Sequence, residues 1–372
     1  MQKKCYENEA IKKEYFEHLK EVKGFSPNSI KVFEQSILLW QEFSDNKDFK
    51  TFGKKDVTEF KVWLRKKENK RTKESLSLSY LYHLLRRLRV FFQWLVSQPN
   101  YKHINPTFID YLSLSKKEAR IAIQSKKMDT PSMEDVIKVI ENIEIRNEVD
   151  KRDRALICFT LLTGARISAI ASISMQCFDR ENYVVDQNPK LGVKTKFSKQ
   201  ITTTLFPLNY DKALEYFLEW YDYLREVKGF KGDNPLFPMT EIINGKENTS
   251  YRSTGDVIPS FWSSASGARK VFEKRFIDAG IPYYHPHTFR HLVVKEFLKT
   301  RLTEQEKKAI SQNLGHENIG TTFGSYGYGH IEDEKQIEIV KHIRIGGKDI
   351  EGTYSLSSEE MRFIDALRQT KH

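Results

Sequence analysis

The feature that most constrains the fold is the run from Ser79 to Leu95, where apolar residues recur at helical spacing. Tyr82, Arg86 and Arg89 lie three or four residues apart and share a different face, with Arg87 beside it. This pattern predicts a helix that is buried on one side and basic on the other, ending before Pro99. The apolar stripe consists of Leu81, Leu84, Leu85, Leu88, Phe91, Phe92 and Leu95.

Other helical signals surround this run. Ser26 followed by Pro27 predicts a capped helix start, with apolar residues from Ile30 to Trp40 on its buried face. Asn105-Pro106 closes the region. We therefore predict a compact helical domain over residues 8–106, followed by a polar, charged linker over residues 107–130.

The chain is strongly basic, with a net charge of +11 and a pI of about 9.2. Between Lys61 and Val90 lie ten basic residues and two acidic ones, so this stretch alone contributes +8. Basic charge gathered in one place favours a polyanionic partner, because phosphate binding releases counterions. A basic face that serves only solubility is the alternative.

A second domain is predicted over residues 131–345, starting with a helix capped at Ser132 and followed by a C-terminal tail over 346–372. Helices should continue through Ser174, with β-stretches at Tyr183–Val185 and Ile201–Phe206 and more helices from about Ala268 to Val340. The stretch from Gly229 to Gly267 is rich in Gly, Asn, Ser and Pro, which predicts a long surface loop with little regular structure.

Neither the apolar content nor the cysteines indicate a membrane or secreted protein. The most apolar run, Ala155 to Ile173, carries Arg166 in its middle, which predicts a buried core segment and no membrane span. The N-terminus has no apolar signal segment. Cys5, Cys158 and Cys177 are scattered, so we expect no disulfide framework and a cytoplasmic location.

Four short motifs that could carry chemistry follow one another in the second domain. They are Thr163-Gly164-Ala165-Arg166, then His285-Pro286-His287-Thr288-Phe289-Arg290-His291, then Leu314-Gly315-His316, and finally Thr321-Thr322-Phe323-Gly324-Ser325-Tyr326. Arginine is costly to bury unless it pairs with an anion, which could be a bound ligand or an acidic side chain. For the motif of Arg166 taken alone, a structural ion pair with an acidic side chain is the favoured interpretation. His287 and His291 have the spacing of a zinc pair, but Thr288 stands where a metalloprotease helix has glutamate.

This ordered set of Arg, His-x-x-Arg, His and Tyr resembles the tyrosine recombinase family, also called phage-type integrases. The resemblance covers about Ser132 to Ile345, and the first domain looks like the family's core-binding domain. It implies a mainly α fold with a small β-sheet, in which a helical core-binding domain and a mixed α/β catalytic domain form a C-shaped clamp on DNA. It further implies site-specific DNA recombination through a 3′-phosphotyrosine intermediate, with no metal or nucleotide cofactor.

The resemblance also assigns roles. Arg166, Arg290 and His316 would bind the scissile phosphate, His287 would assist proton transfer, and Tyr326 would be the nucleophile. A family lysine on a β-hairpin would protonate the leaving oxygen. Lys196 best matches the family pattern, while Lys194 and Lys199 stay open.

Two positions depart from the family pattern. Ala169 stands where the family usually has an acidic residue, three after the first arginine. The spacing from His316 to Tyr326 is one residue longer than is most common, which leaves Tyr328 as a rival nucleophile. A DNA-binding protein of this fold with impaired catalysis is therefore an alternative, and a metal-dependent nuclease using His287, His291 and His316 is another.

The expected partner is double-stranded DNA, contacted by Tyr82, Arg86, Arg87 and Arg89 of the first domain and along the linker. A predicted helix from Lys335 to Ile343 carries apolar residues and would, as in the family, dock on a neighbouring subunit. The resemblance thus implies a homotetramer on paired recombination sites, with an accessory directionality protein as a further candidate partner. A helix folded back on its own domain is the alternative.

Overall fold

A computed structural model describes residues 5–69, 72–124, 129–244 and 251–328, except for the side chains of residues 244, 251 and 325–328. The chain divides into two compact units, Met1–Lys126 and Lys127–His372. The predicted helix from Lys335 to Ile343 and the tail over 346–372 lie outside the described residues.

The first unit is built from helices around an aromatic core. Its α-helices are α1 (Tyr6–Glu21), α2 (Pro27–Phe43), α3 (Lys54–Lys66), α4 (Leu78–Leu95) and α5 (Lys116–Ile123). The ring of Trp40 lies edge-on to those of Phe60 and Phe92, at centroid distances of 4.9 and 5.2 Å. These contacts join α2, α3 and α4, so large aromatic side chains hold the helices together.

The two helix starts follow the capping chemistry of the sequence. The side chain of Ser26 accepts a hydrogen bond from the backbone of Ser29, with Pro27 in the first turn, which confirms the predicted cap. Helix α4 begins slightly earlier than its periodicity suggests, because Ser77 caps it by accepting from the backbone of Tyr80. All seven residues of its predicted apolar stripe are buried.

The predicted linker contains regular structure. A 3-10 helix spans Pro106–Tyr111, and α5 starts at Ser115, whose side chain and that of Glu118 form a capping box. Lys61 of α3 donates to the carbonyls of Tyr111 and Ser113, and Arg65 pairs with Glu118. Residues 106–123 therefore pack against α3 as part of the first unit.

The second unit combines helices with two small antiparallel sheets. Strands β1, β2 and β3 form one sheet in that order, and β4 pairs with β5 in the other. Its elements are α6 (Met133–Glu141), α7 (Glu148–Thr163), α8 (Ile167–Ile170), β1 (Phe178–Asp179), β2 (Val184–Gln187), β3 (Ile201–Thr204), α9 (Lys212–Glu226), β4 (Met239–Asn244), β5 (Tyr251–Ile258), α10 (Ala265–Asp278), α11 (His287–Phe297), α12 (Glu304–Asn313) and a π-helical segment (Gly320–Tyr328). The mainly α prediction with a small β component is confirmed.

One prediction for this unit is wrong. The stretch from Gly229 to Gly267, expected to be an irregular loop, contains the β4–β5 hairpin. The hairpin is held on α7, because the Glu148 carboxylate accepts a hydrogen bond from the backbone N–H of Val257 at 2.8 Å. The same carboxylate accepts from the hydroxyl of Tyr223 on α9 at 2.6 Å. Such long-range hydrogen bonds leave no local pattern in a segment of mixed polar residues, which explains the error.

A buried ion network joins α7, which leads into the first motif, to α10. Arg275 of α10 bonds to Asp150 at 2.6 Å and to Asp153 at 2.9 Å, both on α7. Arg152 reaches Asp153 at 2.7 Å and the carbonyl of Pro238 at 3.0 Å. Since removing one partner of a buried ion pair leaves an uncompensated charge, this network fixes α7 against α10 and the hairpin.

Candidate active site

The first motif forms the turn that ends α7. Gly164 has a φ of +56° and its backbone N–H donates to the carbonyl of Thr160 at 2.9 Å, which is a glycine-type helix end. A Cβ at this position would lie 2.7 Å from Cδ2 of Leu314. Only glycine therefore fits both the backbone and the space, and the turn places Arg166 at the start of α8, partly exposed.

The second motif opens α11. The Thr288 backbone N–H and hydroxyl both donate to the carbonyl of His285, each at 2.8 Å, and this begins the helix. His287 occupies the first turn and is partly buried, and Arg290 follows one turn later and is buried. The predicted shared face of His287 and Arg290 is consistent with this helix, since residues three apart are neighbours.

Arg290 connects the motifs. Its guanidinium donates to the carbonyl of Gly164 at 2.7 Å and to the carbonyl of Leu314. It also lies 2.9 Å from Nε2 of His316. A single buried arginine thus ties the turn before Arg166 to the turn before His316.

The tautomer of His316 follows from its neighbours. A guanidinium has no acceptor, so Nε2 of His316 must accept from Arg290 and Nδ1 must carry the proton. Nδ1 lies 2.8 Å from the Thr322 hydroxyl, which donates in turn to the Ser311 hydroxyl at 2.8 Å. All three side chains are buried, so this chain of hydrogen bonds fixes the imidazole plane.

Both site histidines are held neutral. Burial first, and then the charges of His291, Arg290 and Arg166, lower the pKa of His287 to about 4. Burial, followed by Arg290 and Arg166, lowers the pKa of His316 to about 3. An imidazolium is unfavourable in this cationic environment, so both rings stay neutral at physiological pH.

The Leu-Gly-His turn follows α12. Gly315 has a φ of +73°, and a Cβ there would lie 2.5 Å from Cδ1 of Ile201 on β3. Thr203 of β3 donates to the carbonyl of Asn313 at 2.9 Å. The small sheet therefore supports the turn that carries His316.

The three candidate lysines lie between β2 and β3. Lys199 pairs with Glu317 at 3.1 Å, and the backbone N–H of Lys194 donates to the Ser172 hydroxyl at 2.8 Å. Lys196 is exposed, and its charge contributes to the lowered pKa of His316. The charge of Lys196 thus acts on His316, while Lys199 is paired with Glu317.

The departure at Ala169 lies inside α8, where Ala169 is buried. Just beyond it, the Ser172 hydroxyl donates toward the carbonyls of Ser168 and Ala169, at 2.9 and 3.1 Å. Since Ser172 also accepts from Lys194, it links the helix after Arg166 to the lysine loop. The sequence did not indicate this linking role of Ser172, because a serine at the end of a helix is common.

The candidate nucleophile lies in the π-helical segment Gly320–Tyr328. The described side chains of Thr322 and Phe323 are buried and anchor this segment, Thr322 through its bond to His316. The side chains of Tyr326 and Tyr328 lie outside the described residues. The motif cluster of Arg166, His287, Arg290 and His316 is therefore joined to the tyrosine segment through Thr322, a residue whose role the sequence did not reveal.

The basic face of the first unit is more engaged than its composition suggests. Arg87 is half-buried and donates to the Ser36 hydroxyl at 2.8 Å, and Arg89 pairs with Asp110 at 2.6 Å. Tyr82 is partly buried beside His83, and Arg86 is exposed. Arg65 and Arg89 are thus paired with carboxylates, while Lys61 and Arg87 are held by hydrogen bonds to neutral oxygens.

Within the ranges that the structure describes, no three His, Cys, Asp or Glu side chains come together as they would around a metal ion. No helix in the described part of the chain is long and apolar enough to cross a membrane.

Comparisons with known proteins agree with the motif order. The sequence model described as "Phage integrase family" matches residues 126–333, and that described as "Phage integrase, N-terminal SAM-like domain" matches residues 13–99. Tyrosine recombinase XerC of Lactobacillus leichmannii is 21% identical over 319 residues, covering 84% of this chain and 92% of the relative. Tyrosine recombinase XerC of Staphylococcus aureus (strain JH9) is 25% identical over 340 residues, covering 90% and 97%.

A solved structure shares the fold. XerH site-specific recombinase bound to palindromic difH substrate, in a post-cleavage complex, matches with a TM-score of 0.57 and 20% identity. The match covers 87% of this chain and 82% of that one. At this identity the likeness supports the helical, two-domain fold alone.

Proposed function

This chain belongs to the phage integrase family, because the family model matches residues 126–333, more than half of the chain, and we propose that it recombines DNA with Tyr326 as the nucleophile. The protein is a tyrosine site-specific recombinase and acts on DNA. It cleaves and rejoins DNA strands through a 3′-phosphotyrosine intermediate, which is the reaction of this family. The roles of individual residues below are our proposal.

The observation that carries the proposal is the position of Arg290. Its guanidinium bonds to the carbonyls of Gly164 and Leu314 and to His316, so three motifs meet at one buried cation, although Gly164 lies 126 positions before Arg290 in the chain. A surrounding of two arginines and two neutral histidines suits a bound phosphodiester anion.

The cationic groups stabilise charge that grows during the reaction. Attack on the phosphodiester builds negative charge on the nonbridging oxygens, and Arg166 and Arg290 supply fixed positive charge beside them. Donors held in place in this way contribute about 3 to 4 kcal/mol each to lowering a barrier of this kind. Because Arg290 is already held by two carbonyls, little reorganisation is needed when the phosphate arrives.

Proton transfer falls to His287 and Lys196. The His287 ring is neutral at physiological pH, so it can accept the proton that the Tyr326 hydroxyl loses as its oxygen bonds to phosphorus. A bound phosphodiester opposes the charges of Arg166 and Arg290, which raises the pKa of His287 and makes it a better base. Lys196 would give a proton to the leaving 5′ oxygen.

The wider assembly is also part of the proposal. We assign DNA binding to residues 8–106 and catalysis to residues 131–345, which the two matched ranges support. In the first domain, exposed Arg86 is the strongest candidate for a DNA contact. A homotetramer on paired sites, an accessory directionality protein and a cytoplasmic location complete the proposal. Three free cysteines agree with a reducing compartment.

The test is trapping of a covalent adduct. Wild-type protein is incubated in EDTA with nicked suicide duplexes made from candidate element ends, and the modified peptide is identified by mass spectrometry. We expect an adduct on Tyr326 that Tyr326→Phe abolishes and Tyr328→Phe, the matched control, retains. An adduct on Tyr328, or one that survives Tyr326→Phe, would overturn the nucleophile assignment. DNA binding without any adduct would support the catalytically impaired alternative.

A further inference from the structure

The most exposed large apolar side chain in the described part of the chain lies next to Lys196. Phe197, between β2 and β3, is 88% exposed, whereas the next most exposed phenylalanine, Phe261, is 40% exposed. Isolated apolar residues on a surface are common, but a phenylalanine side chain this exposed is not stabilised by burial in the core of the domain.

The backbone holds this ring outward in an unusual conformation. Phe197 and Ser198 have φ values of +60° and +50°, in the left-handed region that residues other than glycine seldom adopt. Two successive strained residues persist only when the surroundings fix them, and such strain concentrates at functional sites.

The surroundings that fix the loop are visible at both of its ends. Val193 is buried, and Lys194 donates from its backbone to Ser172 at 2.8 Å. Lys199 pairs at 3.1 Å with Glu317, the neighbour of His316. The tip of the loop, with Phe197, is therefore held close to the proposed phosphate site.

The charge around the ring selects its partner. Residues 188–200 contain four lysines and no acidic residue, and the Lys196 ammonium lies 4.9 Å from the centroid of the Phe197 ring. A partner for this surface must be anionic and must also offer a flat apolar face. Nucleic acid offers both, since every base has a face for stacking beside a charged backbone.

We propose that Phe197 stacks on a DNA base next to the scissile phosphate and so fixes the position of Lys196. This inference rests on the proposed function, because it places DNA at the motif cluster. The ring and the ammonium belong to adjacent residues of one tight turn. A stacked ring would therefore restrict where the lysine can reach.

The test uses photocrosslinking and does not require strand cleavage. Protein carrying Tyr326→Phe is bound to short random-sequence duplexes in which 5-iodouracil replaces thymine, irradiated, and mapped by mass spectrometry. We expect a crosslink at Phe197, and we expect Phe197→Trp to retain it. Phe197→Leu should weaken duplex binding measurably, by at most the roughly hundredfold that one base–aromatic stack contributes on a single strand. Phe261→Leu is the matched control and should bind as the parent protein does.

Each outcome bears on the inference. Undiminished binding by Phe197→Leu, with no crosslink at residue 197, overturns it. A Phe197→Leu protein that binds DNA normally but loses self-association would assign the ring to a protein contact and also overturn it. A crosslink at Phe197 together with failure to form any tyrosine adduct would leave the stacking intact and remove the proposed recombinase function.

Discussion

Replacing Thr322 by valine tests whether the hydrogen-bond chain behind His316 fixes the imidazole. Thr322 is fully buried, and its hydroxyl lies 2.8 Å from Nδ1 of His316 and donates to Ser311 at 2.8 Å. Valine keeps the shape of threonine but cannot accept the Nδ1 proton. The substitution therefore removes two hydrogen bonds, the one that Thr322 accepts from His316 and the one that it donates to Ser311, with little change of volume.

The expected magnitude follows from what is left behind. Ser311 loses a donor but still donates toward the carbonyl of Asn318 at 3.4 Å, so its cost is small. His316 keeps a buried N–H that has lost this acceptor, at a cost of about 1–3 kcal/mol. For a domain of this size we expect Tm to fall by roughly 2 to 12 °C. A ring turned out of place should also slow strand cleavage about tenfold to a hundredfold.

The assays are thermal unfolding, single-turnover cleavage and the ¹⁵N chemical shifts of the His316 ring. Wild-type protein should show the Nδ1–H form, and Thr322→Val a mixture of tautomers. Thr322→Ser keeps the hydroxyl and should stay close to wild type in cleavage. Exposed Thr321→Val is the matched control. The reasoning is refuted if Thr322→Val matches Thr321→Val in all three measurements, or if Thr322→Ser is equally damaging in cleavage.

Two further predictions concern stability. Gly164→Ala should cost about 2–5 kcal/mol in urea unfolding, because the left-handed backbone is strained and the new Cβ would lie 2.7 Å from Leu314. Gly280→Ala shares the positive φ with no atom within 4 Å, so an equal loss there would contradict the packing argument. The second concerns pH: burial lowers the pKa of His287 to about 4 and of His316 to about 3, below the value near 6.5 of an unfolded chain. The unfolded state thus takes up more protons as the pH falls, so Tm should be highest above about pH 6.5 and should decrease toward pH 4. In His287→Gln this decrease should be less steep. An equal decrease in the variant and the wild type would count against the pKa shift of His287.

Local patterns predicted the helices well. The stripe on α4 and the cap at Ser26 depend on neighbours within four positions, and both agree with the structure. The hairpin of β4 and β5 was missed because its anchor is the Glu148 carboxylate, 109 positions away from Val257. The count of charge between Lys61 and Val90 could not include the pairs of Arg89 with Asp110 and of Arg65 with Glu118, because these acidic partners lie outside that stretch.

The candidate site divides in the same way. The sequence supplied the identity and order of Arg166, His287, Arg290, His316 and Tyr326, since each motif is a short local string. It gave no reason to select Thr322 or Ser172. Their roles depend on which hydroxyl faces which ring or loop, and that is set by how helices pack.

By itself the sequence determined which residues are available for phosphate chemistry and which stretches form helices, because both depend on residue type and short spacing. Only the tertiary structure decided that Arg290 bonds to the carbonyls of Gly164 and Leu314, that His316 carries its proton on Nδ1, and that Phe197 stands in solvent beside Lys196. The physical reason is that hydrogen bonds and burial are properties of distance in space. Distance in space between residues far apart along the chain is fixed by packing of the whole domain.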